Sequence, residues 1–355
     1  MKQRNKMVIV TNIVAPYKVD IYVEFMKQFN TEILFTGRED NRKKWYSGIG
    51  RKVPGFTIPI PIIKNNTIYN YRYIHLNPLL FFYLYRLRPR YIISNEFGFR
   101  SLVCLLYSRL FSVDFAIWWG GTMHTERDIG KLKKLLRRFI VKFNNSIITY
   151  GPSSSEYIMS LGVKKNKIIE IQNYSRVNDL SEKFDHKIDN SVPNIIYVAQ
   201  LIDRKGIGQL IESAKRVSAN RDFVLTIIGD GPLFDSFVSQ ISGYEKFISF
   251  KSGVPYGNMR EVYNNADGLI APTLEDVWCL IINEAIQFKI PVMASIYAGG
   301  ALDLLPPENR FDPLNDEAID KALEMLIDKV VHEVNPNILW NAEKIVETIR
   351  EAFNE

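Results

Sequence analysis

Two carboxylates stand eight positions apart late in the chain, Asp276 and Glu284. The residues from Leu280 to Phe288 are mostly apolar and helical in pattern, so Glu284 is an acid two turns into a buried face. An unpaired carboxylate there is very costly, and a ligand hydroxyl would satisfy it. Asp276 lies in the preceding loop, beside backbone N–H groups that lack an intrahelical acceptor and so can hold phosphate. A third candidate is His124, which follows Gly120-Gly121 after the apolar run Asp114 to Trp119. That order sets an imidazole near the carboxyl edge of a sheet with the backbone free to approach a ligand, although a hydrogen-bonded surface His fits the same residues.

The element that must position the acids runs from Ala271 to Gly300, APTLEDVWCLIINEAIQFKIPVMASIYAGG, and reads as strand, loop, helix (278–289), strand. Acid, aromatic, small residue, apolar run, Glu-Ala, a Pro-Val strand and a Gly-Gly turn resemble the E-x7-E signature of retaining glycosyltransferase family four. Asp276 stands where most members have Glu, Trp278 where Phe is usual and Cys279 where Gly is usual. The resemblance extends to Lys205-Gly206, to Gly229-Asp-Gly-Pro232 and to Gly253-Val-Pro255, with Ala199-Gln200 in place of the usual Gly-Arg. It implies an α/β chain of the GT-B fold, two Rossmann-like parallel-sheet domains facing a cleft, and transfer of a sugar from a nucleotide-sugar donor with retention.

The same resemblance implies the roles. Glu284 would bind the ribose, Asp276 the sugar hydroxyls, and His124 the donor sugar. Lys205, Arg204 and the helix start at Cys279, Leu280 and Ile281 would meet the diphosphate, with Gln200, Gly229, Gly231 and Val254 also on the donor side. Pro16, Tyr17, Gly120 and Gly121 fall at strand ends of the first domain, where an acceptor, a glycan or a lipid-linked sugar, would be held. No cofactor is implied, and without a D-x-D sequence no metal need be invoked.

The 355 residues suggest two domains, 1–175 and 193–336, joined by a polar linker at 176–192, with a last helix at 337–353 crossing back to the first. Two distant cysteines, Cys104 and Cys279, indicate neither a disulfide framework nor a zinc site, and no apolar run reaches membrane-spanning length. A cytoplasmic chain is expected, with the inner face of the membrane as a further location. Charge divides unevenly: residues 1–180 hold 29 Lys and Arg against 12 Asp and Glu, net +17, and the remainder 16 against 27, net −11. Such a basic half attracts anions, and in the absence of nucleic-acid-binding motifs an anionic membrane surface is preferred over nucleic acid.

Along the first domain, Arg38 to Lys52 reads as a basic loop and Tyr69 to Tyr85 as an aromatic helix covering the sheet, followed by Arg86, Arg88 and Arg90. Lys131 to Phe143, KLKKLLRRFIVKF, has Leu132, Leu135, Leu136, Phe139, Ile140 and Phe143 on one stripe. That stripe is expected to pack on its own sheet. Lys131, Lys133, Lys134, Arg137 and Arg138 would form a solvated basic face that meets anionic headgroups by charge, without insertion. Two rival readings remain open: a nucleotide-sugar epimerase on the same fold, and a non-catalytic protein that binds a nucleotide sugar or a partner enzyme.

Overall fold

The computed structural model describes residues 6–37, 48–61, 71–176 and 192–354. Most of the expected basic loop at 38–52, the expected linker at 176–192 and the start of the aromatic stretch at 69 and 70 lie outside these residues. The chain divides into two compact units, Met1–Tyr174 with Trp340–Glu355, and Ser175–Leu339.

The first unit runs β1 (Lys6–Thr11), α1 (Val19–Gln28), β2 (Asn30–Phe35), β3 (Arg51–Lys52), β4 (Phe56–Pro61), β5 (Tyr71–Leu76), α2 (Leu80–Leu87), β6 (Tyr91–Ser94), α3 (Phe99–Phe111), β7 (Asp114–Trp119), α4 (Lys131–Lys142), β8 (Ser146–Tyr150), α5 (Gly151–Ser160) and β9 (Ile168–Ile171). Among the described residues seven parallel strands form one sheet, in the order β3-β2-β1-β6-β7-β8-β9. Strands such as β6 are buried along their whole length, because helices cover both faces of a parallel sheet. Strand alternation sorts those helices. Val8, Val10, Ile92, Phe115 and Ile117 face α2, α3 and α4, while the opposite parity puts Trp118 against Phe25 of α1.

The stretch from 69 to 85 is not one helix. Its first part is β5, paired antiparallel with β4, and only Leu80–Leu87 is helical. Pro59 and Pro61 hide β4 from a reading of the sequence, but each strand of a two-stranded ribbon has a free edge that tolerates a missing N–H.

The second unit continues with β10 (Asn194–Val198), α6 (Ile207–Val217), β11 (Val224–Ile228), α7 (Phe234–Gln240), β12 (Ile248–Lys251), α8 (Met259–Asn264), β13 (Gly268–Ala271), α9 (Ile281–Gln287), β14 (Val292–Ser295), α10 (Gly299–Leu304), β15 (Arg310–Phe311) and α11 (Asp316–Ile327). Its sheet has the parallel order β12-β11-β10-β13-β14-β15. A final helix, α12 (Ala342–Asn354), belongs to the first unit, where it packs on α1 and stacks Phe353 on Tyr91 with ring centroids 5.1 Å apart. The two Rossmann-like parallel-sheet units make the chain an α/β protein of the expected class.

Candidate functional site

In the second sheet the chain runs outward from β10 in one direction through β11 and β12, then returns to place β13 on the other side of β10. The strand order reverses there, and in open α/β sheets ligands bind outside the carboxyl ends of the strands at such a reversal. The loops leaving β10 and β13 meet at this point. The amide of Leu274 and the hydroxyl of Thr273 donate to the Arg204 carbonyl at 2.9 and 3.1 Å, and Arg204 Nη1 donates to the Glu275 carbonyl at 3.0 Å. Gly206 makes the approach feasible: its φ is +69°, and a Cβ there would lie 1.9 Å from the Pro272 carbonyl oxygen. The β11 loop is drawn in as well, since a Cβ on Gly229 would lie 1.8 Å from the Ala199 oxygen. Gly253, beside the half-buried Val254 in the β12 loop, donates its amide to Asp230 Oδ1 at 3.0 Å. Gln200, Arg204, Lys205, Gly229, Gly231 and Val254 therefore all lie at the carboxyl edge of this sheet.

Lys205 and Asp276 cross the reversal as an ion pair, Nζ to Oδ2, with only 14% and 16% of their side chains exposed. Asp276 Oδ1 accepts from the amides of Trp278 at 3.1 Å and Cys279 at 3.0 Å. Burial alone would raise the Asp276 pKa, but the Lys205 charge, its hydrogen bond and the Trp278 amide outweigh that and hold it below the ordinary carboxylate value.

The helix expected at 278–289 is shorter, Ile281–Gln287. Cys279 has φ +72°, a left-handed conformation that cannot belong to the right-handed helix itself, and Asp276 already takes the amides of 278 and 279. Those two amides are thus engaged by the protein; Leu280 and Ile281 open the first turn instead. The unusual residue sits where glycine would be unstrained. We expect Cys279→Gly to be more stable than Cys279→Ala by about 1 kcal/mol, the left-handed penalty less the extra entropy of glycine, as measured by urea unfolding. A preference for alanine would show that the backbone relaxes.

Glu284 is 7% exposed, and its partners come from the protein itself. Oε1 accepts from the Ser175 hydroxyl at 2.7 Å and Oε2 from the Tyr263 hydroxyl at 2.5 Å, so in this state hydroxyls within the unit fill the place that a ligand hydroxyl was expected to take. Burial raises its pKa, and these two hydrogen bonds oppose the rise. Gln287, one turn on, donates to the Ser175 carbonyl, which ties the first residue of the unit to α9 twice. Tyr263 is itself stacked on Phe288 at 5.1 Å. Neither Ser175 nor Tyr263 was singled out by the sequence; the signal available was that a buried acid must have partners.

In the first unit the sheet order reverses between β1 and β6. Pro16 and Tyr17 form a 3-10 turn after β1, and Gly120, Gly121 and His124 follow β7, two strands away from β1. The His124 turn is built by reciprocal Thr122 and Thr125 bonds, 2.8 Å from the Thr122 amide to Thr125 Oγ1 and 3.2 Å from the Thr125 amide to Thr122 Oγ1. Beside the reversal lies a pair that sequence reasoning missed. Arg100, 3% exposed, donates to both oxygens of Glu96, to Thr36 Oγ1 at 2.7 Å and to Asn12 Oδ1 at 3.3 Å. A cation in the first turn of a helix opposes the dipole, which is the sequence signal that it needs a fixed anion.

Arg137 is a correction. Expected on a solvated basic face, it is instead buried, paired to Glu126 Oε2 at 2.6 Å and lying over the Trp119 ring at 4.6 Å, so it anchors α4 to the loop that carries His124. The stripe on α4 is corrected too. Leu136, Arg137, Ile140 and Val141 face inward, whereas Leu132, Leu135 and Phe139 are exposed. Among the described residues no group of three His, Cys, Asp or Glu side chains could hold a metal ion, and no helix is long and apolar enough to cross a membrane.

Residues 178–336 match the family model described as glycosyl transferases group 1. Over 271 residues the chain is 26% identical to Protein CapJ of Staphylococcus aureus, an alignment that covers 71% of this chain and 66% of that protein. The chain thus spans just under two-thirds of the length of that curated relative. Among solved structures it is similar to HepE of Anabaena in complex with UDP and glucose, with 13% identity over 99% of this chain and 100% of that one and a TM-score of 0.74. It is also similar to TarM of S. aureus, 13% over 99% of each chain and 0.72, and to the lipopolysaccharide outer core galactosyltransferase WaaB in its apo form, 16% over 98% of each and 0.67. The fold is GT-B, and the stretch that holds Lys205, Asp276 and Glu284 is the part of the chain that matches glycosyl transferases group 1.

Proposed function

We propose that the protein is a retaining glycosyltransferase that moves a hexosyl group from a nucleoside-diphosphate sugar to a glycan or lipid-linked acceptor in the synthesis of a cell-surface polysaccharide. The observation that carries this reading is the Lys205–Asp276 pair, held by the β10 and β13 loops at the strand reversal of the unit that matches the family. In the reaction the acceptor hydroxyl forms a bond to the anomeric carbon on the face from which the diphosphate departs, and the acceptor proton passes to the departing phosphate oxygen. The charge that develops is on the diphosphate, so a preorganised ammonium at Lys205 acts where catalysis needs it.

Asp276 then exchanges its contact with Lys205 for hydroxyls of the donor sugar, and Glu284 accepts from the ribose in place of the Tyr263 and Ser175 hydroxyls. Arg204, at the same loop crossing, adds a second cation. His124 acts from the carboxyl edge of the first sheet on the reacting sugar. The HepE structure with UDP and glucose makes UDP-glucose the first donor to try, and the likeness to WaaB, a lipopolysaccharide outer core galactosyltransferase, favours a polysaccharide acceptor.

Calorimetric titration with UDP-, GDP- and ADP-sugars identifies the donor, and NMR of the product reads the anomeric configuration. Donor-dependent transfer with the configuration kept is the expected result. Inverted product removes the retaining assignment, epimerised nucleotide sugar formed without any acceptor replaces the transferase with an epimerase, and binding without turnover under all acceptors leaves a binding protein.

A further inference from the structure

We infer that α4, with the neighbouring edges of α3 and α2, is a docking surface that inserts its apolar side chains shallowly into an anionic lipid leaflet. Leu132, Leu135 and Phe139 lie along one stripe of α4 at 81%, 65% and 52% exposure, and Phe143 just beyond its end continues it. The exposed cations Lys131, Lys134, Arg138 and Lys142 recur at the same spacing and lie about 100° round the helix from that stripe. An apolar stripe at the level of the acyl boundary, with long cationic side chains reaching sideways to the phosphates, is how an interfacial helix lies in a membrane plane. At twelve residues α4 is about 18 Å long, suited to lying on a bilayer and far too short to cross one.

The surface extends beyond one helix. Arg109 of α3 donates to the Phe143 carbonyl and lies over the Phe143 ring at 5.9 Å, and α3 exposes Leu106 and Leu110. Phe111, at the end of α3, meets Tyr85 of α2 at 5.7 Å, and Phe82 on α2 is 67% exposed. None of the three helices contains an Asp or Glu. That composition selects the occupant. A second copy of the chain in a two-fold interface would bring these like charges together, and a nucleic acid would leave the leucines and phenylalanines unused, whereas an anionic leaflet satisfies both classes of side chain. Charge attraction without insertion, the reading from sequence, does not account for leucines that the protein itself leaves uncovered.

The test is sedimentation of the full chain with vesicles of phosphatidylcholine, with or without phosphatidylglycerol. Wild type is expected to bind the mixed vesicles, to weaken but not lose binding as salt rises from about 0.1 to 0.5 M, and to lose it at least about tenfold in Leu132→Ser/Leu135→Ser/Phe139→Ser. The exposure of all three positions leaves folding intact, which circular dichroism verifies. Because Cys104 and Cys279 are both buried, Leu135→Cys can be labelled selectively with an environment-sensitive dye, which should shift to the blue on the vesicles. An apolar triple variant that binds as wild type does, or a dye at 135 that does not shift, would overturn insertion in favour of adsorption by charge. Concentration-dependent dimerisation abolished by the same variant, with no vesicle binding by wild type, would assign the face to a second copy instead.

Discussion

Lys205→Met is expected to lower turnover of the nucleotide-sugar donor by about 10²- to 10³-fold, the loss seen when one preorganised group that stabilises a developing charge is removed. It should also destabilise the fold, because Asp276 is left with two amide partners and only the weaker influence of the Arg204 charge at a site where both side chains are largely buried. That cost should be about 2–3 kcal/mol, less than for a fully enclosed pair whose partner is lost. The two effects separate in Lys205→Met/Asp276→Asn. Removing the stranded charge restores most of the stability and none of the turnover. Asp276→Asn alone has a signature of its own: it frees Lys205 from its partner, so the nucleoside diphosphate should bind as well as before or better, while the intact donor sugar binds less well. Urea unfolding and calorimetry with diphosphate and with donor measure all three variants. If turnover recovers along with stability in the double variant, Lys205 is a structural lysine.

Glu284→Gln should weaken the nucleoside diphosphate and the intact donor alike, by about ten- to a hundredfold, since a hydrogen bond to a charged acceptor is worth about 1.5–3 kcal/mol. The same substitution has a pH signature independent of any ligand. The folded pKa of Glu284 is raised by burial against the opposing Tyr263 and Ser175 bonds, so between the unfolded and the raised folded value the native state holds more of the proton than the unfolded state does. Stability from this group is therefore fully present below the unfolded carboxylate value and is lost as pH rises through the raised folded value. Relative to Glu284→Gln, wild type should lose ground across that window by at most about 1.4 kcal/mol per pH unit. Asp276 runs the other way: its contribution is present above the unfolded value and is lost as pH falls through its depressed folded value. Thermal melts of both variants against pH distinguish them. A flat difference between wild type and Glu284→Gln would mean that the carboxylate is as well solvated in the fold as outside it.

The parallel sheets were legible because continuous apolar runs such as Tyr91 to Ser94 and Gly268 to Ala271 are too short for a helix and too apolar for a strand with one wet face. The loops at their carboxyl ends then follow from strand order. The donor-side candidates were named on the resemblance to the E-x7-E signature, whose spacing stays within one loop and the helix after it. Partnership across long separations was not legible. Ser175 and Tyr263 lie 109 and 21 positions from Glu284, and no pattern in the chain announces that their hydroxyls converge on it. The start of α9 was misplaced because helical periodicity continues through Cys279 while the backbone there turns left-handed. On α4 the periodicity revealed that an apolar stripe exists but not which side of it faces the sheet. Arg137 can take the inner position because Glu126, the Tyr157 hydroxyl and the Trp119 ring receive its guanidinium, and that is a tertiary fact.

Helix α12 has a consequence for how the chain is made. It follows the whole second unit in sequence, yet it buries Ile345, Val346 and Ile349 within the first, with the Trp340 amide bonded to Gln172 Oε1 at 2.8 Å. During translation the earlier-synthesised unit therefore waits with the α1 side of its sheet unfinished while the later one, contiguous from 175 to 339, can close by itself. The half that is made first is the half that is completed last. Until residues 342–354 leave the ribosome, Tyr91 has the edge of Phe29 against it but lacks the stacked ring of Phe353, and the nascent chain carries that apolar surface while the second unit is made.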